Sequence, residues 1–154
     1  MLFRRWPVLF LLLLLTIASS SSLAECLTTL PPSPPFVPPA PYSTDASGGF
    51  WYGTDALWTR LSFQGDWSTA GIGQKFFVWS RGYDWRTARQ PELIVTGKRL
   101  DGDAPPIAVA GGTNARIGGM YAMLIGVRVP TSGCWELTAY HDGHMLTFVV
   151  SIGP

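Results

Sequence analysis

Asp142-Gly143 stands between two runs whose side chains alternate in character, Cys134–Tyr140 and His144–Val150. No other feature constrains the fold as much. Both central residues of a type I′ turn need positive φ, which Gly adopts freely and Asp tolerates, so the pair predicts a two-residue hairpin. That turn sets the register: His141 opposite His144, Ala139 opposite Leu146, Leu137 opposite Phe148, Trp135 opposite Val150. Those pairs share one face, and all but the histidines are apolar. The other face carries Tyr140 with Met145, Thr138 with Thr147 and Glu136 with Val149. A slip of one residue would mix the two sets, so a buried face enforces the pairing.

Upstream the pattern is also β from Phe50 onward. Ala56–Phe63 alternates Leu57, Thr59, Leu61 and Phe63 on one face with Ala56, Trp58, Arg60 and Ser62 on the other. Lys75–Ser80 is aromatic and rich in strand formers, Leu93–Leu100 follows Pro91, and Ile107–Ala110 is short. Asp101–Pro106 reads as a turn, and Gly111–Asn114 as a break. Met120–Val129 is apolar on both faces, as a central strand requires, and Pro130 stops it. No segment beyond the first residues shows sustained helical periodicity with caps. About seven short strands at turn-punctuated intervals predict an all-β sandwich or barrel.

The chain opens with Arg4 and Arg5, an apolar run from Val8 to Ala18 and a small-x-small exit at Ser22-Leu23-Ala24. This is the pattern of a secretory signal peptide over residues 1–24, and the run is short for a membrane span, which needs ~20 apolar residues. Export is therefore expected to leave Glu25 as the first residue, with no transmembrane span after cleavage. Nine basic and ten acidic residues then remain, because Arg4 and Arg5 leave with the signal. A near-neutral surface argues against nucleic acid or an anionic membrane as partner.

Cys26 and Cys134 are the only cysteines. In an oxidising compartment they predict one disulfide, worth roughly 4–5 kcal/mol in the chain-entropy account before native strain. The alternative makes Cys26 a lipidated N-terminus of an outer-membrane lipoprotein, since Leu23-Ala24-Glu25-Cys26 lies near a lipobox, although Glu25 stands where that motif wants a small residue. Residues 25–48 read as a proline-rich tail or linker ahead of a domain over 49–154. Seven of the eleven residues from Pro31 to Pro41 are proline, which favours an extended polyproline II strip. Such a strip serves as a spacer or docking strip, or as a stiff lead-in strapped to the domain by Cys26. Ser43–Gly49 reads as a hinge.

The segment Pro130–Thr138 followed by Leu146–Val150 resembles the terminal hairpin of secreted bacterial immunoglobulin-like domains. Together with Phe50-Trp51-Tyr52-Gly53, Asp55-Ala56-Leu57-Trp58, Lys75–Trp79, Val95–Asp101 and Gly133-Cys134-Trp135-Glu136, it resembles a family of small uncharacterised bacterial secreted or lipoprotein-like proteins. The resemblance covers residues 50–151. It implies an immunoglobulin-like antiparallel β-sandwich exported by a bacterium, and it supplies no catalytic residues. Copper-carrying periplasmic sandwiches share the hairpin style, but their His and Met ligand pattern is not matched.

Two groups of residues are candidates for a site. Trp79, Arg81, Tyr83, Asp84 and Trp85, with Trp51, place aromatics, a cation and a carboxylate in one expected loop region, a combination that suits a sugar ring or a protein hot spot. The competing reading packs these tryptophans into a small core with arginines stacked on them. His141 and His144, facing each other at the hairpin tip, form a weak metal candidate, against a plain exposed hairpin end. No Gly-x-Ser-x-Gly, His-Glu-x-x-His or phosphate-loop motif is present, so the sequence predicts no enzyme and no cofactor. The expectation is a non-catalytic structural or interaction module of the bacterial envelope, with an envelope protein or a glycan as partner. Glycan or other ligand recognition by the aromatic loop is the alternative, and a metal-carrying periplasmic domain is a third reading.

Overall fold

A computed structural model describes residues 25–154 apart from 43, 44, 68, 70 and 118. The expected signal peptide, and Ser43 and Thr44 of the expected hinge, lie outside the described residues. The strands are β1 (Gly49–Gly53), β2 (Leu57–Ser62), β3 (Gln74–Ser80), β4 (Ile94–Arg99), β5 (Ile107–Ala110), β6 (Thr113–Ile117), β7 (Met120–Val127), β8 (Gly133–His141) and β9 (His144–Ile152). They form two antiparallel sheets, ordered β1-β2-β3-β7-β6 and β5-β4-β8-β9, packed as an all-β sandwich.

The closing hairpin has the register its turn dictates. His141 pairs with His144, Ala139 with Leu146, Leu137 with Phe148 and Trp135 with Val150. Asp142 and Gly143 both hold positive φ, at 47° and 74°, as a type I′ turn needs. Trp135, Leu137 and Ala139 are fully buried, so the apolar set does face the core. From the other sheet Leu57, Phe76, Val78, Met123 and Ile125 meet them in one continuous cluster.

Among the described residues there are nine strands, and β1 and β6 go beyond the seven or so that the sequence predicts. Gly111, with φ of 105°, does end β5, but the chain resumes at Thr113 as an edge strand. Among the described residues it pairs with β7 alone, and Asn114 carries little strand propensity of its own, so pairing rather than composition makes it a strand.

The expected tail lies on the sandwich. A disulfide joins Cys26 to Cys134 at the start of β8. Thr29 then runs beside the free edge of β9: its N–H donates to the Val149 carbonyl (3.0 Å), and its hydroxyl accepts from the Val149 N–H (2.8 Å). Gly65 and Trp67 engage the Ser151 backbone on the same edge. An edge strand with both backbone groups occupied cannot recruit another chain there. Farther along, Phe36 and Tyr42 pack on the outer face of the five-stranded sheet.

Candidate functional site

Strand alternation decides where the tryptophans go. Phe50, Leu57 and Val78 point into the sandwich, so their neighbours Trp51, Trp58 and Trp79 point out of it. All three are nevertheless buried, because Phe36, Tyr42 and Ala46 cover them. Trp51 meets Trp79 edge to face at 5.0 Å, and Tyr42 meets Trp58 the same way at 5.0 Å. Trp51 and Trp79 are thus not surface contacts for a ligand as the sequence predicts. They form a second core, closed by the segment that precedes β1.

The rest of the predicted loop divides at Gly82. Arg81 turns to one side and pairs with Asp55 at 3.2 Å, with both side chains exposed. It borders a shallow cleft of about 380 Å³ shared with Ser80, Asp142 and His144. On the other side, the Tyr83 N–H donates to the Ser80 carbonyl, and Asp84 organises a single turn. The Asp84 carboxylate accepts from the Arg86 N–H (2.9 Å), and its carbonyl accepts from the N–H groups of Thr87 and Ala88. This turn sets Trp85 against Tyr121, face to face at 3.9 Å with 11° between the rings. The Arg86 guanidinium lies 4.7 Å from the Trp85 ring centre, and Tyr121 leaves it only the opposite face. The Asn114 side-chain amide donates to the Trp85 carbonyl and ties the loop to β6.

Between this loop and the end of the tail lies a cleft of about 470 Å³. Pro41 and Tyr42 form one wall, Tyr83–Arg86 another, and Met120 and Tyr121 of β7 the remainder. Burial raises the pKa of both Tyr42 and Tyr83; for Tyr83 the nearby Asp84 carboxylate and Tyr42 add to the effect. Both phenols therefore stay neutral at physiological pH and can donate. The Tyr83 hydroxyl is buried and has no hydrogen-bond partner among the described residues. The cleft combines aromatic walls with an exposed guanidinium and an exposed carboxylate. It offers no nucleophile paired with a base among the described residues.

The hairpin-tip histidines are placed as the register requires. His141 Nδ1 lies 3.0 Å from the Glu92 carbonyl, and its ring stands edge-on to Tyr83, which accounts for its position. His144 is exposed. Among the described residues no group of three or more His, Cys, Asp or Glu side chains is placed to hold a metal ion. No helix among them is long and apolar enough to cross a membrane.

Comparison with protein-family models, curated proteins and solved structures finds no match. The site therefore stands on its own geometry. The sequence points to Tyr83, Asp84 and Trp85, which the fold does bring to one cleft. It does not point to Tyr42 or Tyr121 as their companions. Tyr121 sits in a strand that is apolar on both faces, and Tyr42 closes a proline run, so only long-range packing brings either to the loop.

Proposed function

We propose that the protein is an exported, non-catalytic interaction module of the bacterial envelope, and that it engages its partner in the cleft between Tyr42 and the Tyr83–Arg86 turn. The signal-like start and the resemblance to exported bacterial proteins supply the address. The observation that carries the binding role is the cleft itself, where a strapped tail and a loop some forty residues away present aromatic rings beside Arg86 and Asp84. Aromatic surface with a polar handle is the usual make-up of a protein hot spot.

A glycan is the second reading. It is favoured by the aromatic walls beside the exposed Asp84 carboxylate, which can accept from sugar hydroxyls. Trp85 is not an open sugar platform, because Tyr121 and Arg86 occupy its two faces.

Arg86 is exposed at the rim of the cleft, where it pairs with Asp84 at 3.8 Å, so Arg86→Glu reverses the charge there. The mature chain, immobilised, is to be exposed separately to envelope proteins and to envelope glycans. Retention from one fraction by wild type, lost in Arg86→Glu at an unchanged melting temperature, supports the cleft and names the partner class. Equal retention by both chains removes the role from this cleft.

A further inference from the structure

The ladder between β2 and β3 pairs Leu57 with Ser80, Trp58 with Trp79 and Thr59 with Val78, and stops there. Beyond it the strands part, because the chain after Ser62 crosses to the other sheet, where Gly65 and Trp67 bond to the Ser151 backbone. The parting opens a cavity of about 330 Å³ between Arg60–Ser62 of β2 and Gln74–Phe77 of β3. That volume lies within the range of small-molecule sites. Trp67, Phe76 and Phe77 give it apolar walls, with Trp67 edge-on to Phe76 at 5.9 Å. Its charged lining is Arg60 and Lys75 against Asp66, one positive charge in excess. Neither cation is in an ion pair among the described residues. The Arg60 guanidinium reaches the Ser47 carbonyl at 3.5 Å, at the Gly48–Gly49 side of the cavity. Asp66 is engaged already, its Oδ1 accepting from the Ser62 hydroxyl at 2.7 Å. The backbone adds donors. The Phe77 carbonyl accepts from the Thr59 hydroxyl at 2.8 Å, so Phe77 turns its backbone polar groups toward β2. Lys75, two residues earlier, turns its N–H the same way, and neither residue has a ladder partner in β2.

We propose that this cavity is a binding site for a small-molecule carboxylate with an apolar, aromatic body. The carboxylate accepts from the Lys75 ammonium, the Arg60 guanidinium and the backbone donors that the broken ladder leaves toward the gap. Charge-assisted bonds of this kind are the stronger class. The body rests against Trp67 and Phe76, whose rings favour an edge-on or offset neighbour. One net positive charge in the lining matches a monoanion, which assigns the ligand to the carboxylates and not to the more highly charged phosphate monoesters. Both cations are exposed, so added salt weakens the binding. The cavity and the cleft between Tyr42 and the Tyr83–Arg86 turn share no lining residue, so this site does not depend on the role proposed for that cleft.

The test titrates the oxidised protein with phenylacetate, with phenylethanol as the neutral control and benzyl phosphate as the more highly charged one. Calorimetry should show saturable binding of phenylacetate at millimolar concentration, with phenylethanol roughly tenfold or more weaker. Lys75→Met and Arg60→Gln, which remove a charge from exposed positions, should each weaken phenylacetate roughly two- to tenfold. Arg86→Glu, in the other cleft, should leave it unchanged. No binding of phenylacetate overturns the proposal, as does equal binding of phenylethanol or a folded Lys75→Met chain that binds as wild type does. Tighter binding of benzyl phosphate overturns the assignment to a carboxylate, and loss of binding in Arg86→Glu overturns the location. If the variants do not fold, wild type carries the test by nuclear magnetic resonance. The Trp67 indole proton resonance should move on titration and that of Trp85 should not; an unmoved Trp67 resonance overturns the proposal.

Discussion

Trp135 is fully buried, and its indole N–H donates to the Thr131 carbonyl at 3.0 Å. Trp135→Ala should therefore destabilise by about 3–5 kcal/mol, as large core truncations do, and a urea midpoint near that of wild type would contradict the placement. On the neighbouring strand β4, Arg99 pairs with Trp135, and its Nε donates to Asp101 Oδ1 at 2.7 Å, in a pair that is mostly buried. That bond, ahead of the smaller backbone contributions, holds the Asp101 carboxyl below the usual carboxylate range. A lowered folded-state pKa stabilises the fold above the unfolded value and ceases to do so as pH falls through the lower one. Melting temperature should thus drop as the pH falls below about 4, and Asp101→Asn should be less stable near neutrality with a flatter acid limb. An acid limb of the same steepness in the variant would assign the effect to other groups. Trp135 is legible in the sequence because one turn sets its facing. Trp51, Trp58 and Trp79 are not, because alternation directs them outward and residues of the preceding segment, Phe36, Tyr42 and Ala46, help to bury them.

At the scale of elements, local chemistry is strongest where the chain turns on itself. The hairpin of β8 and β9 follows from Asp142-Gly143, and the expected strands from Leu57 to Val127 lie within a few residues of their observed bounds. Gly143 at φ of 74° has open space around the site of a Cβ, so a substitution there reports backbone conformation alone. Gly143→Val should cost about 1–2 kcal/mol by denaturant titration, and an unchanged midpoint would mean the turn is not type I′. What the sequence could not yield are the elements defined by a partner. Edge strand β6 exists through its pairing with β7, and the loop after β3 divides because Asp55 draws Arg81 one way while Tyr121 draws Trp85 the other.

For the whole molecule the N-terminal segment is the organising feature. It begins at a disulfide on β8, closes the edge of β9 at Val149, covers the tryptophan face and ends as a wall of the candidate cleft. The disulfide spans 108 residues of chain. Cys26→Ser should cost up to about 4–5 kcal/mol and lower the melting temperature, whereas a transition unchanged by the substitution would show that the link contributes nothing to the folded chain. The covering of the tryptophans is the central claim, because both the second core and the cleft depend on it. Hydrogen exchange of the indole protons tests it most directly. In the oxidised protein the signals of Trp51, Trp58 and Trp79 should persist in deuterated water far longer than those of an unfolded control. Loss of all three signals at the control's rate would show the face open to solvent and contradict the strapped arrangement.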